Sequence, residues 1–213
     1  MNVMAVYKER EVDYMNTSFQ IIKEIADTSD GIITTKQVED AGLSRTILKP
    51  FVEEGLLLRE SQGIYSLSES IADEYKLMQI RSEKAIFSYG TALYLLGMSD
   101  RVPHNIDVTV PQGYNASRIK KDCPSIRFHY VKKELWELGI TSVQSPMGAT
   151  VKVYDKERCI CDLIRDKKDI DMQLFTQAVK EYFASGSNTR KILKYGKIFG
   201  VGETLRIYME VLS

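Results

Sequence analysis

Asn105 and Asp107, two residues apart, carry the first hint of chemistry. The stretch Pro103–Pro111 alternates and is rich in β-branched residues, so a strand is expected there, ended by Pro111 and Gly113. Positions i and i+2 of a strand point the same way. Two carboxylates so placed hold Mg²⁺ for phosphoryl or nucleotidyl transfer. Here one of the pair is Asn, a neutral and weak Mg²⁺ ligand.

The run Ser88–Gly97, with Tyr89-Gly90-Thr91 near its start, reads as a turn leading into a buried helix. Turn, helix and a strand with an inward Asp is how small nucleotidyltransferases begin, but this metal site is broken. The plain alternative is an αβ unit whose Asp107 pairs with a Lys or Arg. No catalytic residue is assigned, and no metal or other cofactor is expected.

The histidines are His104 and His129, and nothing in the sequence places them near a nucleophile. The cysteines are Cys123, Cys159 and Cys161. Asp155 can cap a helix over Lys156–Ile164, whose Cys159, Ile160, Leu163 and Ile164 form a core stripe. Cys159 and Cys161 then face different ways, which does not make a zinc site. Asp162 reads as a structural anchor. Met1–Arg10 has no apolar run, so no signal peptide is expected, and the sparse cysteines fit a reducing cytoplasm. The longest uncharged stretch, Ala85–Ser99, has 15 residues and reads as a buried helix. A membrane span needs roughly 18.

Four cations in the first third have the types that grip DNA: Lys36, Arg45, Lys49 and Arg59. Arg reads guanine edges, while Lys and Ser more often hold phosphates. The spacing of Phe19, Ile22, Ile25 and Ala26 predicts a helix over Tyr14–Asp27. An extended Ile32-Ile33 follows, then a helix over Lys36–Ala41 capped by Thr34 or Thr35. Gly42-Leu43 makes a turn, and Ser44 caps a helix over Arg45–Glu54. Pro50 is expected to kink that helix in its second turn. Strands over Leu56–Glu60 and Ile64–Leu67 close a hairpin.

That order is a winged helix-turn-helix, whose helix after the turn enters the major groove. The residues expected at DNA are Thr35, Lys36, Ser44, Arg45, Thr46, Lys49, Arg59 and Gln62. Between Asp30 and Leu67 six acids outnumber the four cations, so affinity is expected to be salt-sensitive, and a protein-contact role is the alternative.

The whole chain is neutral, with 29 Lys+Arg and 29 Asp+Glu among 213 residues, which excludes a wholly basic DNA coat. The charge is nevertheless split. Residues 1–80 carry 8 cations and 14 acids, and residues 81–213 carry 21 and 15. A boundary near residue 80 is expected, joined by a polar helix over Ser68–Arg81. Helices are also expected over Asp171–Ala184, Asn188–Phe199 and Val201–Leu212. Arg190, Lys191, Lys194 and Lys197 on the middle one form a candidate basic surface, or a solvated face. The fold class is α+β: an N-terminal winged helix-turn-helix, then a mixed α/β unit ending in helices, with a degenerate nucleotidyltransferase-like fold as one option for it.

The chain resembles the AbiEi family of bacterial antitoxins, the antitoxin half of type IV abortive-infection pairs. The resemblance is carried by Gly-Leu-Ser-Arg-Thr (42–46), the run Glu54–Arg59, Gly-Ile-Tyr (63–65), Tyr89–Pro103, Asp-Val-Thr-Val-Pro (107–111) and Val153–Ile164. It implies a repressor of its own operon that binds inverted repeats in double-stranded promoter DNA. It also implies a C-terminal antitoxin unit opposing a nucleotidyltransferase toxin, by contact, by modification or by acting on the toxin's target. The alternatives are a ligand-responsive regulator without a toxin and, against Asn105, an active nucleotidyltransferase.

Overall fold

In the computed structural model, which describes residues 3–186 and 188–212 and the side chains from residue 13 onward, the first helix starts earlier than its apolar spacing predicts. Helix α1 runs Val3–Thr28. The added residues contain no Gly or Pro to break the helix. Asp30 and Gly31 end the segment in left-handed conformation, at φ 53° and 78°. Strand β1 (Ile32–Thr34) then enters the core.

Helix α2 (Thr35–Asp40) begins with a reciprocal cap. The Thr34 hydroxyl accepts from the Gln37 N–H, and the Gln37 side chain accepts from the Thr34 N–H at 2.9 Å. Thr34→Ala is expected to cost about 1 kcal/mol. Urea unfolding followed by far-UV circular dichroism checks it, and an unchanged midpoint would contradict it.

The expected helix over Arg45–Glu54 is in fact two pieces. A 3-10 turn, Arg45–Ile47, leads into α3 (Leu48–Glu53). Pro50 therefore lies in the first turn of α3, where its missing N–H has no partner to lose, and the expected second-turn kink does not arise. Strands β2 (Leu57–Ser61) and β3 (Ile64–Leu67) form the hairpin, in an antiparallel sheet of order β1-β3-β2. The register shifts between Arg59 and Ser61. Ile22, Ile33, Val38, Leu48, Phe51 and Leu57 make the core, with the Phe19 and Phe51 rings 5.0 Å apart.

The chain divides into two compact units, Met1–Leu77 and Met78–Ser213. The expected helix over Ser68–Arg81 is shortened to α4 (Glu74–Arg81). Asp73 accepts from the Tyr75 and Lys76 N–H groups and so starts the helix late.

In the second unit the expected helix over Ala85–Ser99 is a short strand, β4 (Ile86–Phe87), followed by α5 (Tyr89–Leu95). Next come β5 (Ile106–Pro111), α6 (Ser117–Asp122), β6 (Ile126–Val131), α7 (Lys133–Trp136), β7 (Ile140–Gln144) and β8 (Thr150–Tyr154). Then follow α8 (Lys156–Arg165), α9 (Met172–Ala184), α10 (Thr189–Phe199) and α11 (Gly202–Leu212). The sheet has order β6-β5-β4-β8-β7. Pairs β5–β6 and β4–β8 are parallel, and β4–β5 and β7–β8 are antiparallel. The architecture is α+β, ending in helices.

Helix α8 is buried almost throughout. Its Arg158 is fully buried, with the guanidinium 4.2 Å from the Tyr154 ring and 4.3 Å from the Phe199 ring. It donates to Asp162 at 2.7 Å, to the Leu138 carbonyl at 3.0 Å and to the Leu135 carbonyl. Gly139, at φ 83°, lies so close that an added Cβ would be 2.9 Å from the Arg158 Cβ. Helix α8 is thereby pinned to the chain around α7 and β7.

Candidate nucleic-acid interface and a polar cleft

In the first unit Ser44, Arg45, Thr46 and Lys49 are all exposed at the entry to α3. The Ser44 hydroxyl caps the 3-10 turn by accepting from the Thr46 N–H and lies 2.8 Å from the Thr46 hydroxyl. Lys49 sits 3.6 Å from Glu53, one turn on; both are well exposed, so the pair holds Lys49 only weakly. Helix α2 packs against the 3-10 turn, completing a helix-turn-helix.

Thr35 and the hairpin turn meet. The Thr35 N–H donates to the Gly63 carbonyl at 3.0 Å, and Gly63 takes φ 74°. That places Thr35 beside Gln62, with Lys36 exposed next in the chain. Arg59 is exposed within β2, opposite Tyr65, rather than at the turn itself.

The second unit holds a cleft of about 570 Å³ lined by Tyr89, Gly90, Asp107, Arg127, His129, Asp166, Asp169, Asp171, Ile170 and Leu174. His129 Nε2 donates to the Asp107 carboxylate at 2.8 Å, and Arg127 lies 3.8 Å from it. The Asp107 N–H donates to the Thr91 hydroxyl at 2.8 Å. Gly90 lies beside the carboxylate; a Cβ added there would make ordinary contact, 3.5 Å from Oδ2. Asn105 lies exposed, ahead of β5 rather than beside Asp107 within it. Asp107 is thus held by His129 and faced by Arg127, the Arg pairing that the plain αβ alternative expects.

Tyr89 takes φ 46°, a costly conformation for an aromatic residue that only surrounding structure can hold. Its ring packs on His129 at 4.1 Å. Its hydroxyl donates to Asp166 and accepts from Arg165 at 2.9 Å. Burial pushes the Tyr89 hydroxyl pKa up, and the nearby Asp162 and Asp166 charges add to the rise. Burial would raise Asp166 too, but hydrogen bonds from Arg165 and Tyr89 outweigh it and hold the carboxyl below its usual range. Sequence reasoning misses Asp166, Asp169 and Asp171 beside Tyr89 and Asp107, because close to sixty residues separate them from Asp107. The one available signal was the string of acids between α8 and α9.

Arg190, Lys194 and Lys197 are exposed on α10. Lys191 is tied down, 3.0 Å from Asp155 and 3.1 Å from Glu157. Asp162 is buried between Arg158 and Arg165, at 2.7 and 3.0 Å. Both helix cysteines are buried; burial pushes the Cys159 thiol well up and the Cys161 thiol up to about 12. Among the described residues, no three His, Cys, Asp or Glu side chains are grouped to hold a metal. Nor, among them, is any helix long and apolar enough to cross a membrane.

Residues 20–68 match the family model for the transcriptional regulator AbiEi antitoxin. No curated protein matches the chain significantly. A crystal structure of the RV2827C protein from Mycobacterium tuberculosis is similar in fold, with a TM-score of 0.54 at 14% identity. The likeness covers 82% of this chain and 70% of that one. Residues 20–68, which span the helix-turn-helix and its hairpin, are thus similar to the AbiEi antitoxin-regulator family, the family the sequence resembles.

Proposed function

We propose that this chain is an antitoxin of a type IV abortive-infection pair that also represses its own operon. In this reading the first unit is a winged helix-turn-helix that binds inverted repeats in promoter DNA. Ser44, Arg45, Thr46 and Lys49 face the major groove, and Thr35, Lys36, Arg59 and Gln62 lie toward the flanking backbone. The second unit opposes a nucleotidyltransferase toxin, and the exposed Arg190, Lys194 and Lys197 of α10 are a further surface for an acidic partner. The observation that carries the reading is the exposed Ser44–Thr46 run with Lys49, set at the start of the helix after the turn within the segment that matches the AbiEi model.

Electrostatics favour this reading only in part. Few cations face the DNA, so one copy binds modestly and loses affinity steeply with salt. Two copies on an inverted repeat supply the rest. The His129 and Arg127 contacts to Asp107 occupy the carboxylate that a Mg²⁺-dependent transferase would need, which favours a non-enzymatic role.

The test is genetic. The chain supplied in trans is expected to repress a reporter driven by its own upstream region. It is also expected to relieve growth arrest when co-expressed with an adjacent nucleotidyltransferase gene. Failure of both would sink the reading. Repression without relief would favour the second reading, a regulator answering to a small molecule in the cleft of about 570 Å³.

A further inference from the structure

Among the described residues, strand β6 is an edge of the five-stranded sheet, paired with β5 alone. Its Phe128 and Tyr130 are two residues apart and share a face. Tyr114 stacks on Phe128, with the ring centroids 6.4 Å apart and 23° between planes. From α6, the Lys120 ammonium lies 5.6 Å from the Phe128 ring and 5.3 Å from the Tyr130 ring. Tyr130 is 41% exposed.

The charge around these rings is one-sided. Residues 117–133 hold six Lys and Arg and one acid, Asp122, so the segment draws a polyanion. Arg127 and Lys133 are engaged by Asp107 and Glu137, each at 3.8 Å. Lys120, Lys121 and Lys132 are exposed.

We propose that the face of α6 and β6 binds an unpaired nucleic-acid strand, with Tyr130 and Phe128 stacking bases and Lys120, Lys121 and Lys132 holding phosphates. Cations alone would suit any polyanion, duplex DNA included. The rings decide between them, because a duplex hides its base faces and a single strand offers them. The face belongs to the second unit and uses none of the residues assigned to operator DNA, so this inference stands apart from the proposed function.

The test is fluorescence anisotropy on the full chain with labelled oligo-dT and oligo-rU of about 20 nucleotides, longer than one site, and a random duplex. Both single strands are expected to bind. Tyr130→Ala is expected to weaken them roughly ten-fold, while Tyr130→Phe, which keeps the ring, binds like the parent. Lys120→Ala/Lys121→Ala is expected to lower the log–log salt slope by about 1.4, two phosphate contacts at about 0.7 each. Arg45→Ala/Lys49→Ala leaves single-strand binding unchanged. Preference for oligo-rU would assign RNA, and equal affinity an unpaired strand of either sugar. Three results would overturn the proposal: no binding of either strand at low salt, no change in Tyr130→Ala, or an equal loss on the duplex.

Discussion

Arg158→Ala is expected to destabilise the second unit by about 3–5 kcal/mol, the usual cost of removing one partner of a buried ion pair. The side chain is fully buried and serves three purposes at once. It neutralises Asp162, it satisfies the carbonyls of Leu135 and Leu138, and it fills the space between the Tyr154 and Phe199 rings. Truncation leaves Asp162 with Arg165 alone, strips both carbonyls and opens a cavity. Arg158→Lys is expected to rescue little, since one ammonium cannot replace a planar fork stacked between two rings.

The loss also depends on pH. Burial pushes the Asp162 carboxyl up, while Arg158 and Arg165 pull it down. Without Arg158 it rises further above its unfolded value of about 3.9. The folded chain then holds a proton the unfolded chain has lost, so the variant gains stability as pH falls toward that value. The deficit is expected to shrink between about pH 8 and about pH 5. Urea unfolding at both values measures it. A deficit below about 1 kcal/mol, no more than a single ordinary hydrogen bond, would contradict the account.

Arg45→Ala/Lys49→Ala is expected to abolish operator preference while leaving the fold intact. Both residues are exposed, and the core beneath them is Ile47, Leu48 and Phe51. An arginine reading a base contributes about 1–3 kcal/mol of discrimination, and a phosphate-bound lysine about one unit of salt slope. The double variant should therefore bind operator at least about ten-fold more weakly, with specific and random duplex converging. Gel-shift titration at two salt concentrations reads both quantities. Undiminished preference for the operator would move the reading residues elsewhere.

How much of this was legible in the sequence depends on the kind of signal. Thr34 and Gln37 spell a cap at i, i+3, and Asp155 and Asn188 cap by the same local chemistry. Strand β3 lies at Ile64–Leu67, where the turn signal at Gly63 predicts a return strand. Where several devices compete, the sequence misled. Pro50 reads as a kink when the helix is taken to begin at Arg45, but the 3-10 turn moves its start to Leu48. The two-residue β4 is too short to show periodicity and merged with α5 into one apolar run. Nothing local marks the cleft, since Asp107 meets His129 only through parallel pairing of β5 with β6. The basic, aromatic face of α6 and β6 is hidden in the sequence for the same reason: its rings and lysines gather through a crossover connection.

The central claim is that the first unit reads the promoter of its own operon. The most direct test is titration of the full chain onto duplex from its own upstream region, beside a scrambled duplex of equal length, at two salt concentrations. Preferential, salt-sensitive binding of the upstream duplex is expected, with two copies filling an inverted repeat. Equal affinity for both duplexes at either salt would contradict it and leave the helix-turn-helix as a protein-contact module.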